Sequence, residues 1–260
     1  MLIHIYIYLT IKMQTKHALI LAVLITGLIA SNFYLFSMLK SESIQRQTAI
    51  VARVIDGDTL VLQDGTKIRL LNVNAPEKST KIYQLALNYL KQFENKSVNL
   101  EITEQDKYGR TLARIYSPNY INLELVSLGF ASKFLVDESE LSQFNDAEKS
   151  AVQQEKGIWR HSQYFSCIKS EIDKYSEVVI LSNSCPEINF KGWILKDEST
   201  KSFVFPEIKF DKIKLHSESG KNNSTDLFWN QKTNVWNDDR DSLYLFDSQS
   251  NIANYNSYGY

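Results

Sequence analysis

The stretch TAIVARVIDGDTLVLQDGTKIRLLNV, residues 48–73, alternates apolar and polar side chains and is interrupted twice by an Asp-Gly pair. Alternation with a period of two is typical of β-strands, and Asp-Gly is a frequent sequence in tight turns. We therefore predict that this stretch forms a β-meander of three strands. The strands are expected at residues 49–55, 59–63 and 66–73.

Outward from this meander, the remaining periodic segments predict further short elements. They are a helix over residues 80–93, strands over 98–103 and 110–116, and helices over 121–128 and 140–155. Glycines follow the last two helices, at the position where a left-handed cap is favoured. Five short strands with three helices indicate an α+β fold, and an OB-type five-stranded barrel is the most economical arrangement.

From about Cys167 the helical pattern disappears and short alternating segments return. Strands are predicted at residues 177–181, 192–196, 202–205, 213–217 and 243–246. Their spacing is typical of a β-sandwich. The predicted organisation is a first domain over residues 48–162 and a second over residues 165–260.

The N-terminal segment, residues 1–40, differs from both domains because residues 18–39 contain no charge. Such a run reaches the roughly 20 apolar residues that a bilayer-spanning helix needs. Lys12 and Lys16 precede it, so the positive-inside tendency would direct the rest of the chain outward. The small residues at 27–31 also allow a signal-peptidase site. A membrane anchor and a cleaved signal peptide both remain open, and either places the two domains outside the cytoplasm.

Composition excludes some classes of function. The 260 residues carry a formal net charge of -1, so there is no global basic field of the kind that marks many nucleic-acid binders. Four histidines are scattered along the chain and give no zinc pattern. Cys167 and Cys185 are the two cysteines of the sequence. In an oxidising compartment they can form a disulfide, and two free buried thiols are the alternative.

Acidic and guanidinium groups of the first domain fall at predicted strand ends. Asp56 and Asp58 flank a glycine, Arg69 lies on the third strand, Glu77 follows that strand, and Arg110 leaves a turn. Converging carboxylates favour a hard cation such as calcium or magnesium. Arginines pair bidentately with phosphate oxygens. Each group alone is better explained by a turn or a surface ion pair, and only their order and spacing together indicate chemistry.

In this combination the chain resembles the staphylococcal nuclease (thermonuclease) family over roughly residues 48–159. The motifs that carry the resemblance are VIDGDT at 54–59, IRLLNVNAPE at 68–77, DKYGRTLA at 106–113 and EKGIW at 155–159. The resemblance implies an OB-fold barrel with three helices. It also implies calcium-dependent hydrolysis of DNA and RNA to products with 3′-phosphate ends.

The resemblance assigns expected roles to individual residues. Asp58 matches a calcium ligand, Glu77 matches the residue that activates the attacking water, and Arg69 and Arg110 match the catalytic arginines that contact phosphate. In the same way, Lys107 and Tyr108 are expected to contact the substrate backbone.

Several positions depart from the family pattern. Asn74 stands where the family has a second calcium-binding aspartate, and Ala75, where it has threonine, offers only its backbone carbonyl. We therefore expect weaker calcium binding. Leu135 and Asp137 stand where the family has aromatic residues that stack on the base. Base preference is therefore expected to differ.

Residues 165–260 resemble a lamin-tail domain, an immunoglobulin-like β-sandwich. The carrying segments are NFKGW at 189–193, FVFP at 203–206, TDLFW at 225–229, VWNDD at 235–239 and DSLYLFD at 241–247. Trp193, Trp229 and Trp236 are expected in the sandwich core rather than on a ligand surface. The resemblance implies a role in attachment, spacing or binding a partner that the sequence does not name.

The sequence thus favours a monomeric, outward-facing or secreted calcium-dependent nuclease that acts on DNA, RNA or both. Two alternatives remain: a nucleic-acid-binding module with weakened catalysis, and a surface adhesion protein in which the sandwich is the functional part.

Overall fold

The computed structural model describes residues 17, 20–35, 46–78, 82–199 and 201–260. Residues 20–35 are helical and exposed. Within the described residues, no helix is both long enough and apolar enough to cross a membrane. Lys12, Lys16 and residues 36–45, on which the predicted N-terminal anchor or signal also depends, lie outside the described part of the chain.

A closed five-stranded barrel forms the first half of the remaining chain. Its strands are β1 (Gln47–Val54), β2 (Thr59–Leu62), β3 (Lys67–Leu70), β5 (Ser97–Gln105) and β6 (Thr111–Tyr116). They follow the order β1-β2-β3-β6-β5, with β3 parallel to β6 and the other pairs antiparallel. The predicted five-stranded barrel is therefore confirmed.

The third predicted strand, residues 66–73, is wrong as a single element. It ends at Leu70, and a two-residue strand β4 (Val73–Asn74) follows and pairs with β7 (Ser132–Lys133). Between them Asn72 has a φ of 66°, a left-handed conformation that asparagine adopts more readily than most residues. This break turns the chain away from the barrel and carries residues 74–77 to its edge.

Buried polar side chains hold that break in place. Asn72 Nδ2 donates to Glu140 Oε2 over 2.6 Å, and its Oδ1 accepts from the backbone N–H of Asp137. The fully buried Asn122 donates from Nδ2 to the carbonyls of Leu71 and Ala113, at 2.9 and 3.0 Å. Because unpaired backbone carbonyls are costly in an interior, these amides stabilise the irregular segment.

Three α-helices accompany the barrel, close to the predicted positions. The helix expected from residue 80 begins at Tyr83, and the helix expected from residue 140 is preceded by a 3₁₀ turn, Glu138–Glu140. The helices are α1 (Tyr83–Lys91), α2 (Ile121–Ser127) and α3 (Leu141–Gln153), and a second 3₁₀ turn covers Gly157–Trp159.

The C-terminal part consists of two four-stranded sheets with a common apolar core. The strands of the two sheets are β8 (Ile168–Asp173), β9 (Val178–Asn183), β10 (Ile194–Lys196), β11 (Ser202–Val204), β12 (Lys212–His216), β13 (Asp226–Phe228), β14 (Asp241–Phe246) and β15 (Ile252–Tyr258). One sheet has the order β11-β10-β14-β15 and the other β13-β12-β9-β8. Five of the eight correspond to predicted strands, whereas β8, β13 and β15 were not predicted.

The tryptophans and cysteines of this part have defined positions. Trp193, Trp229 and Trp236 are 2%, 7% and 1% exposed, which confirms their predicted place in the core. Cys167 and Cys185 form a disulfide, with their Cα atoms 5.3 Å apart. The structure thus selects the paired state from the two alternatives that the sequence left open.

The barrel part and the C-terminal sheets share buried residues. Trp159 stacks on Tyr244 with ring centroids 5.3 Å apart, in a cluster that also contains Val152 and Ile252. Close beside it, Lys133 forms a fully buried ion pair with Glu148. The two parts therefore pack against each other through a shared apolar cluster and through the buried Lys133, which donates to Ser242.

Candidate active site

Asp58 and Arg69 lie side by side where β2 begins. Asp58 directly precedes β2, and Arg69 is paired in register with Thr59 across the β2–β3 ladder. Arg69 Nη2 lies 3.2 Å from Asp58 Oδ2, and both side chains are about nine-tenths buried, with exposures of 11% and 12%. The two residues that the sequence predicted as a phosphate contact and a metal ligand therefore form one ion pair.

Arg69 does not use all of its donors in this arrangement. Its Nη1 donates to the carbonyl oxygens of Leu70 and Val73, over 2.6 and 2.7 Å. A guanidinium has five N–H donors, and within the described chain Nε and Nη2 make no hydrogen bond, although Nη2 is in ion-pair contact with Asp58. Burial lowers the pKa of Arg69, Asp58 opposes that shift, and repulsion from Arg110 adds to it. Arginine nevertheless stays protonated in proteins, so the site keeps a fixed positive charge.

Two further hydrogen bonds hold the Asp58 carboxylate, and a third holds its backbone. Oδ2 accepts from the backbone N–H of Ala75 over 3.0 Å, and Oδ1 accepts from Thr59 Oγ1 over 3.0 Å. Its backbone carbonyl accepts from Leu70 N at 2.8 Å. Burial raises the pKa of Asp58 even though Arg69 and the Ala75 amide favour the ionised form. A nearby cation would offset that cost of burial.

Gly57 allows the Asp58 turn and the Ala75 segment to approach. A Cβ at position 57 would lie 2.6 Å from the Cβ of Ala75 and 2.7 Å from the Cβ of Ala86. Both distances are shorter than carbon atoms tolerate without displacement. Glycine at this position therefore brings Asp58 within hydrogen-bonding distance of the Ala75 backbone.

Asn74, Ala75 and Glu77 lie on one side of a cleft of about 370 Å³ at the barrel edge. Asn74 is half-buried at the end of β4, and its backbone carbonyl accepts from Ser132 Oγ. Glu77 is exposed. Two of the predicted metal-site residues, Asn74 and Ala75, thus line the same cleft as the predicted base, and Asp58 reaches this segment through the hydrogen bond from the Ala75 backbone.

Arg110 belongs to the turn between β5 and β6, which Asp106 organises. Asp106 Oδ1 accepts from the backbone N–H groups of Tyr108 and Arg110, both at 2.9 Å, and Oδ2 accepts from Arg110 Nε at 2.7 Å. Tyr108 is 72% exposed, and the Lys107 and Arg110 cations lie 5.1 and 5.4 Å from its ring centroid. The turn presents a cationic, aromatic surface close enough to Arg69 for the two arginines to repel each other.

The positions where the family has base-stacking aromatic residues lack such a surface here. Leu135 is 63% exposed and has a φ of 45°. Asp137 forms an ion pair with Arg114, which also binds Glu101 and Glu140. These side chains offer no ring on which a base could stack.

Arg114 and the two buried asparagines that hold the β3–β4 segment, Asn72 and Asn122, were not singled out in the sequence. Arg114 stands in TLARIY, where its neighbours Ala113 and Ile115 are fully buried. A charged residue between apolar residues of a predicted strand could have indicated that Arg114 has partners inside the fold. Its three carboxylate partners come from separate segments and could not be identified from spacing.

The donor set suits a hard cation by type. Asp58 supplies a carboxylate, Asn74 an amide oxygen and Ala75 a backbone carbonyl, and such oxygen ligands are those that calcium prefers. Among the residues that the structure describes, no group of three or more acidic, histidine or cysteine side chains could hold a metal ion. A cation at this site would therefore depend on neutral oxygens and water for most of its ligands.

Comparison with known proteins agrees with this geometry. The family model for staphylococcal nuclease homologues matches residues 67–161. A thermonuclease from Staphylococcus intermedius is 32% identical over 165 residues, which cover 57% of this chain and 98% of that relative. An uncharacterized endonuclease from Escherichia coli O157:H7 is 29% identical over 114 residues, 42% of this chain and 74% of the relative.

A much longer protein also matches. Endonuclease YhcR from Bacillus subtilis (strain 168) is 33% identical over 138 residues, 44% of this chain, and the match spans 11% of that relative. The 32% identity to the Staphylococcus intermedius relative, with nearly full coverage of that relative, shows the family, and the family model and the barrel strands agree with it. On this evidence the chain belongs to the staphylococcal nuclease homologue family.

Proposed function

We propose that this chain is a nuclease that hydrolyses phosphodiester bonds in DNA, RNA or both, leaving 3′-phosphate ends. The observation that carries the proposal is the buried Arg69–Asp58 pair, in which Nε and Nη2 of Arg69 make no hydrogen bond within the described chain. A fixed cation with free donors suits phosphate oxygens. The nuclease relatives give independent support.

In this proposal the two arginines bind and stabilise the phosphate. Arg69 approaches from the barrel and Arg110 from the β5–β6 turn, so negative charge on the phosphoryl oxygens meets two positive charges. Glu77, exposed at the cleft, accepts the proton of the attacking water. Lys107 and Tyr108 contact the adjoining strand backbone from the same turn as Arg110.

The proposed cofactor is calcium, held by Asp58, Asn74 and the Ala75 carbonyl. When bound, calcium polarises the phosphoryl group and lowers the cost of forming hydroxide from water. With Asn74 in place of a carboxylate, the site carries one negative charge fewer, so the calcium requirement should be higher than for a site with two aspartates.

We further propose that the protein acts outside the cytoplasm, anchored through its N-terminal segment or secreted, as a monomer. The uncharged run at 18–39 and the Cys167–Cys185 disulfide support this location, since disulfides persist mainly in oxidising compartments. The C-terminal sheets are proposed to form an immunoglobulin-like lamin-tail domain with an attachment or partner-binding role.

The test is cleavage of single-stranded DNA and RNA by the full chain in mild detergent, with calcium titrated against a chelator. Glu77→Gln should lower kcat by about 100-fold or more, since it keeps the shape but removes the proton acceptor. Glu104→Gln, at an exposed position of β5, is the matched control and should cleave like the wild type.

A binding module without catalysis is the second candidate, favoured by Asn74 alone. It predicts that the wild type and Glu77→Gln bind oligonucleotide equally and that neither cleaves at any calcium concentration. That result would refute the nuclease proposal.

A further inference from the structure

The cleft beside the proposed active site has a second wall that does not belong to the barrel. One side is formed by residues 74–77, and the opposite side by residues of β10, β14 and the segment after β10, including Ile194, Lys196 and Phe246. A substrate strand that reaches Asn74 and Glu77 therefore also meets the C-terminal sheet.

Lys196 is the positive charge on this second wall. It is the last residue of β10 and is fixed by ladder pairing with Ser202 on one side and Tyr244 on the other. Burial lowers the pKa of Lys196, while the negative charges of Asp197 and Glu77 oppose that shift. Lys196 thus faces Glu77 across the cleft from a partly dehydrated position.

Neither neighbouring acidic residue neutralises Lys196 by direct contact. Asp197 accepts from Ser199 Oγ at 2.7 Å and from the backbone N–H of Lys201 at 3.1 Å. Within the described chain, Lys196 Nζ has no hydrogen bond and no carboxylate within the 4 Å of an ion pair. A partly buried ammonium with unused donors favours an anionic ligand.

The remaining acidic residue of this wall, Glu198, is also occupied. Its Oε1 accepts from Leu135 N at 3.0 Å, and its Oε2 accepts from Ser242 Oγ and from the Tyr260 hydroxyl. Glu198 is 5% exposed, so an anion in the cleft meets Lys196 rather than this carboxylate.

The rest of the cleft is largely apolar. Ile82, Ile158, Ile194 and Phe246 line it, and Tyr244 forms part of its floor, stacked on Trp159. A surface of this kind contacts the faces of nucleobases without selecting among them. The cleft thus combines one cation with an apolar wall, next to the residues proposed to hold the scissile phosphate.

We propose that this cleft binds the nucleotide adjacent to the scissile bond, with Lys196 contacting its phosphate and the apolar wall contacting its base. The proposal rests on the proposed function. It makes the C-terminal part a contributor to substrate binding, at a position that the family resemblance does not assign.

The test compares Lys196→Gln with Lys196→Arg and with Lys212→Gln, a matched control at an exposed position of β12. On a single-stranded oligonucleotide, Lys196→Gln should raise KM about tenfold with kcat unchanged. It should also reduce the slope of log KM against log salt by about 0.7, the value for one lost contact to single-stranded nucleic acid. Lys196→Arg should retain the slope, and Lys212→Gln should resemble the wild type.

A dinucleotide with a single phosphodiester separates the subsite from the chemistry. It has no adjacent phosphate, so Lys196→Gln should leave its KM and kcat unchanged. The proposal would be overturned if Lys196→Gln raised KM on the dinucleotide as much as on the oligonucleotide. It would also be overturned if the salt slope on the oligonucleotide did not change. If the wild type cleaves nothing, the nuclease proposal fails. In that case, the Kd of the labelled oligonucleotide is measured by fluorescence anisotropy at several salt concentrations. A slope of log Kd against log salt that is the same for Lys196→Gln and the wild type would overturn the subsite proposal.

Discussion

Two buried ion pairs of this protein use their donors differently. Arg69 and Asp58, at the barrel edge, lie 3.2 Å apart and are 11% and 12% exposed. Lys133 and Glu148, between α3 and the C-terminal sheets, lie 2.5 Å apart and are fully buried. Lys133 directs its three N–H bonds to Glu148, Ser242 and Tyr255, whereas Arg69 uses two of its five N–H groups in hydrogen bonds to described residues.

This difference separates a pair whose donors are all used from a pair with spare donors, the one that we propose binds phosphate. Burial alone would lower the pKa of Lys133, but Glu148 raises it above its ordinary value, so the lysine is charged and fully satisfied. Arg69 is charged and only partly satisfied. In a pair of buried ions, unused donors indicate a ligand site more directly than burial does.

The largest predicted effect is a loss of stability when Lys133 is replaced. Lys133→Met leaves the Glu148 carboxylate buried without its cation and should lower the free energy of unfolding by about 3–5 kcal/mol, measured by urea denaturation. The double variant with Glu148→Gln should recover much of this loss because no buried charge remains. If the single variant is as stable as the wild type, the pair contributes nothing to stability.

A smaller effect concerns Asp241, the neighbour of Ser242. It is fully buried and accepts from the backbone N–H groups of Glu198, Ser242 and Asn237, yet burial raises its pKa to about 6. A raised carboxyl pKa stabilises the fold at low pH, and this contribution is lost as the pH rises through 6. Between pH 4 and 7 the loss should be at most about 3 kcal/mol.

Urea denaturation across this pH range tests the expectation. Asp241→Asn should be less stable overall, because its amide N–H groups face other donors, but it should lack this part of the pH dependence. An identical pH dependence in both proteins would assign the effect to other groups.

The smallest predicted effect is a change in the calcium requirement when Asn74, near the Arg69–Asp58 pair, is replaced. Asn74→Asp adds a second carboxylate near Asp58 and should lower the calcium concentration for half-maximal cleavage about tenfold. Asn99→Asp, at an exposed position of β5, is the control and should not change it. An unchanged calcium requirement in Asn74→Asp would show that position 74 does not contact the cation.

The barrel could be predicted because its information is local. The alternating apolar segments form β1, β2 and β3, and the Asp56-Gly57 and Asp64-Gly65 pairs lie in the turns between these strands. The break at Asn72 was not predictable from alternation, because it depends on side-chain contacts to residues 137 and 140. Strand β15 was missed because most of its residues are half-buried, so no period of two marks it.

The candidate site shows the same limit. Resemblance named Asp58, Arg69, Glu77 and Arg110, and the structure pairs the first two. Lys196 could not be identified from the sequence, because its position opposite Glu77 depends on how the C-terminal sheet packs against the barrel. In the sequence, Lys133 resembles an ordinary surface lysine. In the structure it is fully buried, because α3 packs against the C-terminal sheets.

The close approach at Gly57 has a consequence for protein engineering. Because a Cβ at position 57 would meet the Cβ atoms of both Ala75 and Ala86, the sizes of these three residues are coupled. Combinatorial libraries that vary one of them alone will sample mainly clashes or voids. Libraries that vary all three together can change the spacing between the Asp58 turn and the Ala75 segment.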